Sequence, residues 1–321
     1  METDTGTTLK PLIDEPAIIV ENEYKTLVIA DLHLGIEAEF RQKGINIGSQ
    51  TEKLLARAIK CLKATEPDAI ILLGDVKHAV PKMLYSDRKE VPFFLAQIAE
   101  YAPVYVVKGN HDSRIDELMP AALAVSELDC APPPKHATYL KGTEGFLFDH
   151  VGYTHGHSWP SQELFSAEYI LIGHNHPQIR LVSSGSGYRG KSTEQAWITA
   201  RCDYEPIKKR YPAMTNKEVT TPTQPQVIIV PAFNELCGGL TFNTSKDESE
   251  LLGPISSKLL CLDAMEVHLL DGTYIGKIRD LKFVTTPVQS SRVHGSKFGG
   301  VRLALFIFLE VYLQTGQFLS V

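Results

Sequence analysis

Short apolar runs, each followed at once by polar residues, recur through the first half of the chain. The run TLVIA precedes a DLH string, and every later run is only four to six residues long. Runs of this length and apolar content are typical of buried strands rather than buried helices. The predicted strands occupy residues 26–30, 69–74, 104–109, 151–156 and 169–173.

Two segments between the early strands have helical periodicity instead. Residues 51–63 place Leu54, Leu55 and Leu62 on one face, and residues 91–101 place Phe94 and Ile98 on another. Both are predicted to be crossover helices with structural roles. Alternation of strand and helix predicts an α/β fold with buried sheets.

The second half of the chain is less regular. Residues 183–193 (SSGSGYRGKST) predict a flexible polar loop, and residues 205–226 predict irregular connectors rich in Pro, Thr and Lys. QVIIV then predicts a strand, and VHLLDGTYIGKI predicts a hairpin that turns at Asp271-Gly272. We expect one domain over residues 1–281, with a loop-rich insertion at 183–226, and a tail of unknown role at 282–321.

Polar residues with metal-binding side chains end each of the five early strands. In open α/β sheets, ligands bind at the edge formed by the carboxyl ends of the strands, where the loops converge. A carboxylate and an imidazole two positions apart can point the same way from an extended backbone. The candidates are Asp31, His33, Asp75, Asn110, His111, His155, His174 and His176.

This pattern predicts two metal ions with Asp75 between them. One carboxylate shared by two ions gives the clamp that stabilises both oxygens of a phosphoryl displacement. Mixed oxygen and imidazole donors suit manganese, iron or zinc. A lone histidine is more often structural than a metal ligand. Structural roles alone, however, do not explain polar residues at the ends of all five strands.

Composition limits the classes of protein that remain. Hydrophobic residues make up 43% of the chain and charged residues 22%, as in ordinary globular proteins. The net charge of −6 means that any contact with nucleic acid must be local. Five cysteines without paired spacing, no signal-peptide pattern and no apolar run long enough to span a bilayer predict a cytoplasmic protein without a membrane partner.

The strings DLH, GDVKH, GNHD, THGH and GHNH, in this order, resemble the motifs of the calcineurin-like metallophosphoesterase superfamily. The longer strings ADLHLGIEAEFRQKG, GHNHP and PAFNELCGG are similar to the ICC-like phosphoesterases, which include a DNA endonuclease associated with a DNA ligase. The resemblance implies a four-layer sandwich in which two mixed β-sheets are flanked by helices. It reaches to about Gly276 and does not cover the tail.

The resemblance also implies the roles of the candidate residues. One ion would be held by Asp31, His33, Asp75 and His176, and the other by Asp75, Asn110, His155 and His174. His111 would act as the proton donor or charge stabiliser. The cofactors would be two divalent transition-metal ions, manganese first, with iron, zinc or nickel as alternatives.

Several further residues are compatible with either a role at the site or a purely structural role. His78, Arg41 and His157 are predicted to bind substrate, although packing or a solvent-exposed position explains each of them nearly as well. Asp112 is predicted to cap the helix of RIDELM rather than to orient His111. The basic run at 208–210 is predicted to be a solvated face, and the PAFNELCGG loop either borders the site or is a packing turn.

The function expected is hydrolysis of phosphodiester bonds by a metal-bridging hydroxide, with DNA as a candidate substrate. The first alternative is a phosphomonoesterase acting on nucleotides or phosphoproteins. The second is a non-catalytic scaffold of the same fold, because fold alone does not fix function. The presence of every candidate ligand and of His111 disfavours the scaffold.

Overall fold

Two β-sheets packed face to face form the centre of the protein. The computed structural model describes residues 6–80, 83–119, 136–185, 188–212, 224–282 and 319–320. The first sheet has the order β15-β1-β2-β3-β4-β5-β6 and is parallel from β3 to β6. Its strands are β1 (Thr8–Ile13), β2 (Ala17–Glu21), β3 (Lys25–Ile29), β4 (Ala69–Leu72), β5 (Val104–Val107), β6 (Thr138–Lys141) and β15 (Leu319–Ser320).

The second sheet is also mixed. Its order is β14-β13-β11-β12-β9-β8-β7, with β10 paired to β11, and only the β8, β9 and β12 neighbours are parallel. The predicted fold class is confirmed, because two mixed sheets lie between flanking helices. The strands are β7 (Phe146–Phe148), β8 (Val151–Thr154), β9 (Tyr169–Ile172), β10 (Gln178–Gly185), β11 (Tyr188–Arg201), β12 (Gln226–Ile229), β13 (Glu266–Leu269) and β14 (Tyr274–Lys277).

Alternation along each buried strand divides the apolar residues between two interfaces. In β4, Ile70 and Leu72 belong to the core under the helices, whereas Ile71 packs into the core between the sheets. On the far side, Ile170 and Ile172 of β9 pack against the helices of the second sheet. A strand buried on both faces has no polar side, which explains why these strands are continuous apolar runs.

The helices lie on the outer faces of the two sheets. The two predicted crossover helices are present as α2 and α3, and α2 is amphipathic, with its buried face supplied by residues such as Leu54 and Leu62. The helix bounds are α1 (Glu37–Gln42), α2 (Thr51–Thr65), α3 (Asp87–Ala99), α4 (Tyr204–Arg210), α5 (Pro254–Lys258) and α6 (Ile278–Leu281). None of the helices in the described ranges has the length and apolar content needed to cross a bilayer.

The flexible loop predicted at 183–193 is wrong. Residues in this segment belong to the antiparallel pair β10 and β11, whose register runs from Gln178 opposite Gln195 to Gly185 opposite Tyr188. The irregular connector predicted from 205 begins instead with α4, where the basic residues Lys208, Lys209 and Arg210 are exposed as expected. Residues 213–223 of the predicted connector lie outside the described part of the chain.

The hairpin predicted at Asp271-Gly272 is confirmed by the antiparallel pairing of β13 with β14. Of the predicted tail, Leu319 and Ser320 pair in parallel with β1, which adds an edge strand to the first sheet. Residues 283–318, including the apolar run from 301 to 313, lie outside the described residues.

Candidate dinuclear metal centre

The candidate ligands meet where strands of both sheets end. Asp31, Asp75 and Asn110 follow β3, β4 and β5 of the first sheet, and His155 and His174 follow β8 and β9 of the second. The carboxyl ends of these parallel strands point to one edge of the sandwich, so residues far apart in sequence come into contact, such as His33 and His176, which are 143 positions apart. The structure therefore brings the strand-end residues into one cluster.

One group of donors consists of Asp31, His33, Asp75 and His176. Their ligand atoms all lie within 4.8 Å of one another. Nε2 of His176 lies 3.3 Å from Oδ1 of Asp31 and 3.3 Å from Nε2 of His33. Nε2 of His33 lies 3.6 Å from Oδ2 of Asp75. These are the four residues that the resemblance assigns to the first ion.

A second group shares Asp75 and adds His155 and His174, again with ligand atoms within 4.8 Å of one another. Nε2 of His155 lies 3.4 Å from Oδ2 of Asp75 and 3.1 Å from Oδ1 of Asn110. Asp75 therefore lies between two sets of nitrogen and oxygen donors. Such a set suits divalent manganese, iron or zinc, and the two donor groups that share Asp75 are a candidate dinuclear divalent metal site.

The backbone at most of these donors is held in an uncommon conformation. Asp31, His33, Asp75, His174 and His176 all have positive φ, between 41° and 70°. For residues other than glycine this left-handed region costs about 1–2 kcal/mol each, and such strain clusters at functional sites. The surrounding sheets therefore hold these five side chains in place against a local preference.

Backbone carbonyls fix the orientation of two histidine rings in the donor groups. His155 donates from Nδ1 to the carbonyl of Leu73 over 2.7 Å, and His176 donates from Nδ1 to the carbonyl of Gly238 over 2.7 Å. Each bond leaves Nε2 facing the cluster as the candidate ligand atom. Hydrogen bonds of this kind set the tautomer of metal-binding histidines.

Burial and charge set the protonation states of the cluster. Burial lowers the pKa of His33 to about 3 and that of His174 to about 4, which keeps both rings neutral, as metal ligands must be. Burial alone would lower the pKa of His155, but the carboxylates of Asp75 and Asp31 raise it to about 9. The carboxylates that hold this proton would attract a divalent cation in its place.

His111 lies beside the two donor groups rather than within them. Its backbone amide donates to Oδ1 of Asp75 over 2.8 Å, and its Nδ1 donates to the carbonyl of His78 over 2.6 Å. Its ring packs edge-on against His33, with the ring centroids 4.8 Å apart. The bond from Nδ1 leaves Nε2 as the nitrogen free to meet a substrate.

A family model described as calcineurin-like phosphoesterase matches residues 24–201, more than half of the chain. The chain belongs to the calcineurin-like phosphoesterase family. This confirms the superfamily inferred from the motifs, and the matched residues contain every member of both donor groups. Members of the family are metal-dependent phosphoester hydrolases.

Two solved structures match the chain at low similarity. The nuclease MPE of Pseudomonas putida is 17% identical, with 82% of this chain and 97% of that chain covered and a TM-score of 0.43. Yfce, a phosphoesterase from E. coli, is also 17% identical, with 50% of this chain and 74% of that chain covered and a TM-score of 0.29. At this level of similarity neither structure bears on the substrate of this calcineurin-like phosphoesterase.

Of the three predicted substrate-binding residues, two lie at the cluster. His157 packs against the rings of His155 and His174, and its buried Nδ1 has no hydrogen-bond partner among the described residues. His78 lies 3.1 Å from His33, measured between their Nδ1 atoms. Arg41 is exposed in the last turn of α1, and its side chain forms no hydrogen bond or ion pair with the described residues of the cluster.

The helix cap predicted at Asp112 is wrong. The following 3-10 helix, Ile115–Leu118, has Arg114 at its N-cap position, without a side-chain cap. Asp112 is buried and accepts hydrogen bonds from the amides of Gly109, over 2.9 Å, and Lys77, over 3.2 Å. Its carboxylate therefore joins the loop that carries Asn110 to the loop that carries Asp75.

Sequence reasoning missed Lys77, which is fully buried beside the site. Its ammonium group donates to the backbone carbonyls of Ala79 and His111. The next residue, His78, is predicted from the sequence to bind substrate. A lysine in a loop is ordinarily expected to be exposed to solvent. No local signal distinguishes the two cases.

The PAFNELCGG loop borders the site, which settles the two interpretations of it. Asn234 donates from Nδ2 to the carbonyl of Leu32 over 2.9 Å, and Gly238 supplies the carbonyl that orients His176. Cys237, a residue that sequence reasoning did not select, is buried with its sulfur within 4.8 Å of ring nitrogens of His33 and His176. The loop thus covers one side of the first donor group.

Proposed function

We propose that the chain is a dinuclear-metal-dependent phosphoesterase that hydrolyses phosphodiester bonds. The observation that supports this most directly is the position of Asp75 between two donor groups whose ligand atoms converge within 4.8 Å. Two divalent ions at such a site supply an activated water and positive charge for the oxygens of the phosphoryl group. The roles of the individual residues follow from their contacts.

Asp31, His33, Asp75 and His176 would hold one ion, and Asp75, Asn110, His155 and His174 the other. His111 would protonate the leaving oxygen, because its Nε2 is free while its Nδ1 is held by a carbonyl. A positioned acid of this kind contributes roughly 10²–10⁴-fold to a rate. His157 would contact the substrate from the side of the second donor group.

The buried lysine beside the site does not offer its charge to a substrate, which fits a diester better than a monoester. The ammonium of Lys77 donates instead to the backbone carbonyls of Ala79 and His111. A phosphomonoester carries up to two negative charges and gains most from such cations. A diester carries one, so it depends less on them.

DNA is the diester that we propose to test first. The strings similar to the ICC-like phosphoesterases support this choice, and the net charge of −6 means that contact with a nucleic acid must be local. The phosphomonoesterase is the second candidate. We keep manganese as the first metal to test because the donors are carboxylate, amide and imidazole groups.

A reducing cytoplasm is proposed as the location of the protein. Cys61, Cys202, Cys237 and Cys261 carry free thiols in the described residues, and three of them are buried. Disulfides persist mainly in oxidising compartments. Cys130 lies outside the described residues.

The test is reconstitution of the full chain with manganese, followed by elemental analysis and kinetics. We expect about two ions per chain and a larger kcat/KM for bis-p-nitrophenyl phosphate than for p-nitrophenyl phosphate, with single-stranded and duplex DNA assayed next. The Asp75→Asn variant is the control for contaminating hydrolases. A larger kcat/KM for the monoester would favour the phosphomonoesterase, and no bound metal would favour the non-catalytic scaffold.

A further inference from the structure

His78 is held between a candidate metal ligand and a surface carboxylate. Its Nδ1 lies 3.1 Å from Nδ1 of His33, and its Nε2 lies 2.8 Å from Oε2 of Glu39. Both ring nitrogens of His78 are therefore occupied by protein groups. This arrangement differs from that of a residue whose ring is free to bind substrate.

The positions of the protons follow from the geometry of His33. Its Nε2 faces the cluster, 3.3 Å from Nε2 of His176 and 3.6 Å from Oδ2 of Asp75, so Nε2 must carry the lone pair in a metal ligand. The single ring proton of neutral His33 is then on Nδ1, where it is donated to Nδ1 of His78. His78 must in turn carry its proton on Nε2, where it is donated to Glu39.

We propose that Glu39 and His78 form a hydrogen-bond relay that positions His33 as a metal ligand. The inference rests on the proposed function, since it assigns a task to residues outside the ligand set. A carboxylate at the end of such a chain fixes ring orientation and raises the basicity of the ligating nitrogen. Glu39 and His78 are positioning residues, and neither contacts the reacting atoms.

The backbone keeps the two rings side by side. The amide of His33 donates to the carbonyl of Asp75 over 2.8 Å, and the amide of His78 donates to the carbonyl of Leu34 over 2.9 Å. These bonds extend the pairing of β3 with β4 beyond the strands, ending in a bridge between Leu34 and Lys77. The relay is therefore built on paired backbone, with only Glu39 contributed from α1.

The ring and the backbone of His78 do different things, which makes the relay testable. The carbonyl of His78 holds His111, whereas the ring contacts His33. A substitution at His78 changes the ring and leaves the carbonyl. Asn places an amide oxygen close to the position of Nδ1, so His78→Asn keeps an acceptor for His33, whereas His78→Leu removes it at similar volume.

Zinc and manganese dissociation constants of the full chain, measured by competition with a chelator and without substrate, provide the first readout. We expect His78→Leu to weaken binding of one ion by about 10- to 100-fold and His78→Asn to restore most of the loss. Glu39→Ala should weaken binding less, because the Glu39 side chain is 47% exposed. Lys43→Ala is the matched control, since it removes the other ion pair of Glu39 and should leave affinity unchanged.

The second readout is the tautomer of each ring, from nitrogen NMR of protein labelled in its histidines. We expect protonated Nδ1 in His33 and protonated Nε2 in His78, in the zinc-loaded and the metal-free chain alike. Wild-type affinity in His78→Leu together with a raised KM would place His78 in the substrate pocket and overturn the relay. So would loss of a third ion in His78→Leu, because His33, His78 and His111 would then form a metal site of their own.

The two proposals fail separately. If the wild-type chain binds no metal, the proposed function fails, and the tautomers of the metal-free chain alone decide whether the hydrogen bonds of the relay exist. If the wild-type chain binds two ions and both His78→Leu and Glu39→Ala bind them equally well, the relay fails and the proposed function stands.

Discussion

The backbone carbonyl of His78 accepts a hydrogen bond from Nδ1 of His111 over 2.6 Å. Because a carbonyl only accepts, Nδ1 must carry a proton in both charge states of the ring. The exchangeable proton of His111 is then on Nε2, on the side of the ring away from the carbonyl of His78. His111 can therefore deliver a proton without changing its orientation.

The first prediction concerns this residue. His111→Ala should keep both metal ions and lose about 10²–10⁴-fold in turnover, because a general acid acts on the leaving oxygen rather than on the ions. The loss should be smaller for a p-nitrophenolate leaving group, which needs little protonation, than for an alkoxide. Kinetics with both substrates, with elemental analysis of the same samples, provide the measurement. Loss of metal in proportion to activity would make His111 a ligand instead.

The second prediction concerns the shared carboxylate. Asp75→Asn should reduce bound manganese to well below one ion per chain, because Asp75 belongs to both donor groups. Asp31 and His174 each belong to one donor group only, so the variants Asp31→Asn and His174→Ala should each retain about one ion. Elemental analysis after gel filtration compares the three variants. Equal retention by Asp75→Asn and Asp31→Asn would show that Asp75 is not shared.

The third prediction concerns a close approach behind Asp75. A Cβ added at Gly109 would lie 2.2 Å from Oδ1 of Asp75, whereas at Gly238, in the loop on the other side of the site, it would meet nothing within 4 Å. Gly109→Ala should therefore displace the carboxylate, destabilise the fold by about 1–3 kcal/mol and weaken metal binding. Gly238→Ala should change neither quantity. Denaturant unfolding and metal titration test both variants, and similar behaviour of the two would contradict the steric argument.

The fourth prediction concerns the buried carboxylate of Asp112. Asp112→Ala leaves the amides of Gly109 and Lys77 without their acceptor, and an unsatisfied buried donor costs about 1–3 kcal/mol. The free energy of unfolding should fall by at least that amount. Asp116→Ala, which removes an exposed carboxylate from the adjacent 3-10 helix, should change it by less than about 0.5 kcal/mol. An equally small effect at Asp112 would mean that water replaces the carboxylate.

The buried strands could be predicted because each is apolar on both faces and short. The polar residues after β3, β4, β5, β8 and β9 were predictable for the same reason, since a sharp change from apolar to polar marks both the strand end and the site. The strand residues within 183–193 could not be predicted, because this Ser- and Gly-rich stretch has no apolar alternation. Here β10 and β11 are defined by backbone pairing with each other, which composition does not record.

Contacts between distant loops account for the errors at the site. A capping role for Asp112 followed from its position before RIDELM, but its carboxylate is used by two amides of which one, that of Lys77, is 35 residues away. Glu39 and the carbonyls of Leu73, Gly238 and His78 carry no local signal either. Every residue has a backbone carbonyl, and only the folded structure determines which carbonyl accepts a hydrogen bond from a histidine ring.

The left-handed backbone at Asp31, His33, Asp75, His174 and His176 shows that the preferred conformation of these residues did not place them there. Glycine adopts this conformation without steric cost, so at each of these positions the side chain that can bind a metal is also the one that strains the fold. A chain that had only to fold would avoid this strain with glycine at these positions. The stability of the fold therefore does not explain these five side chains.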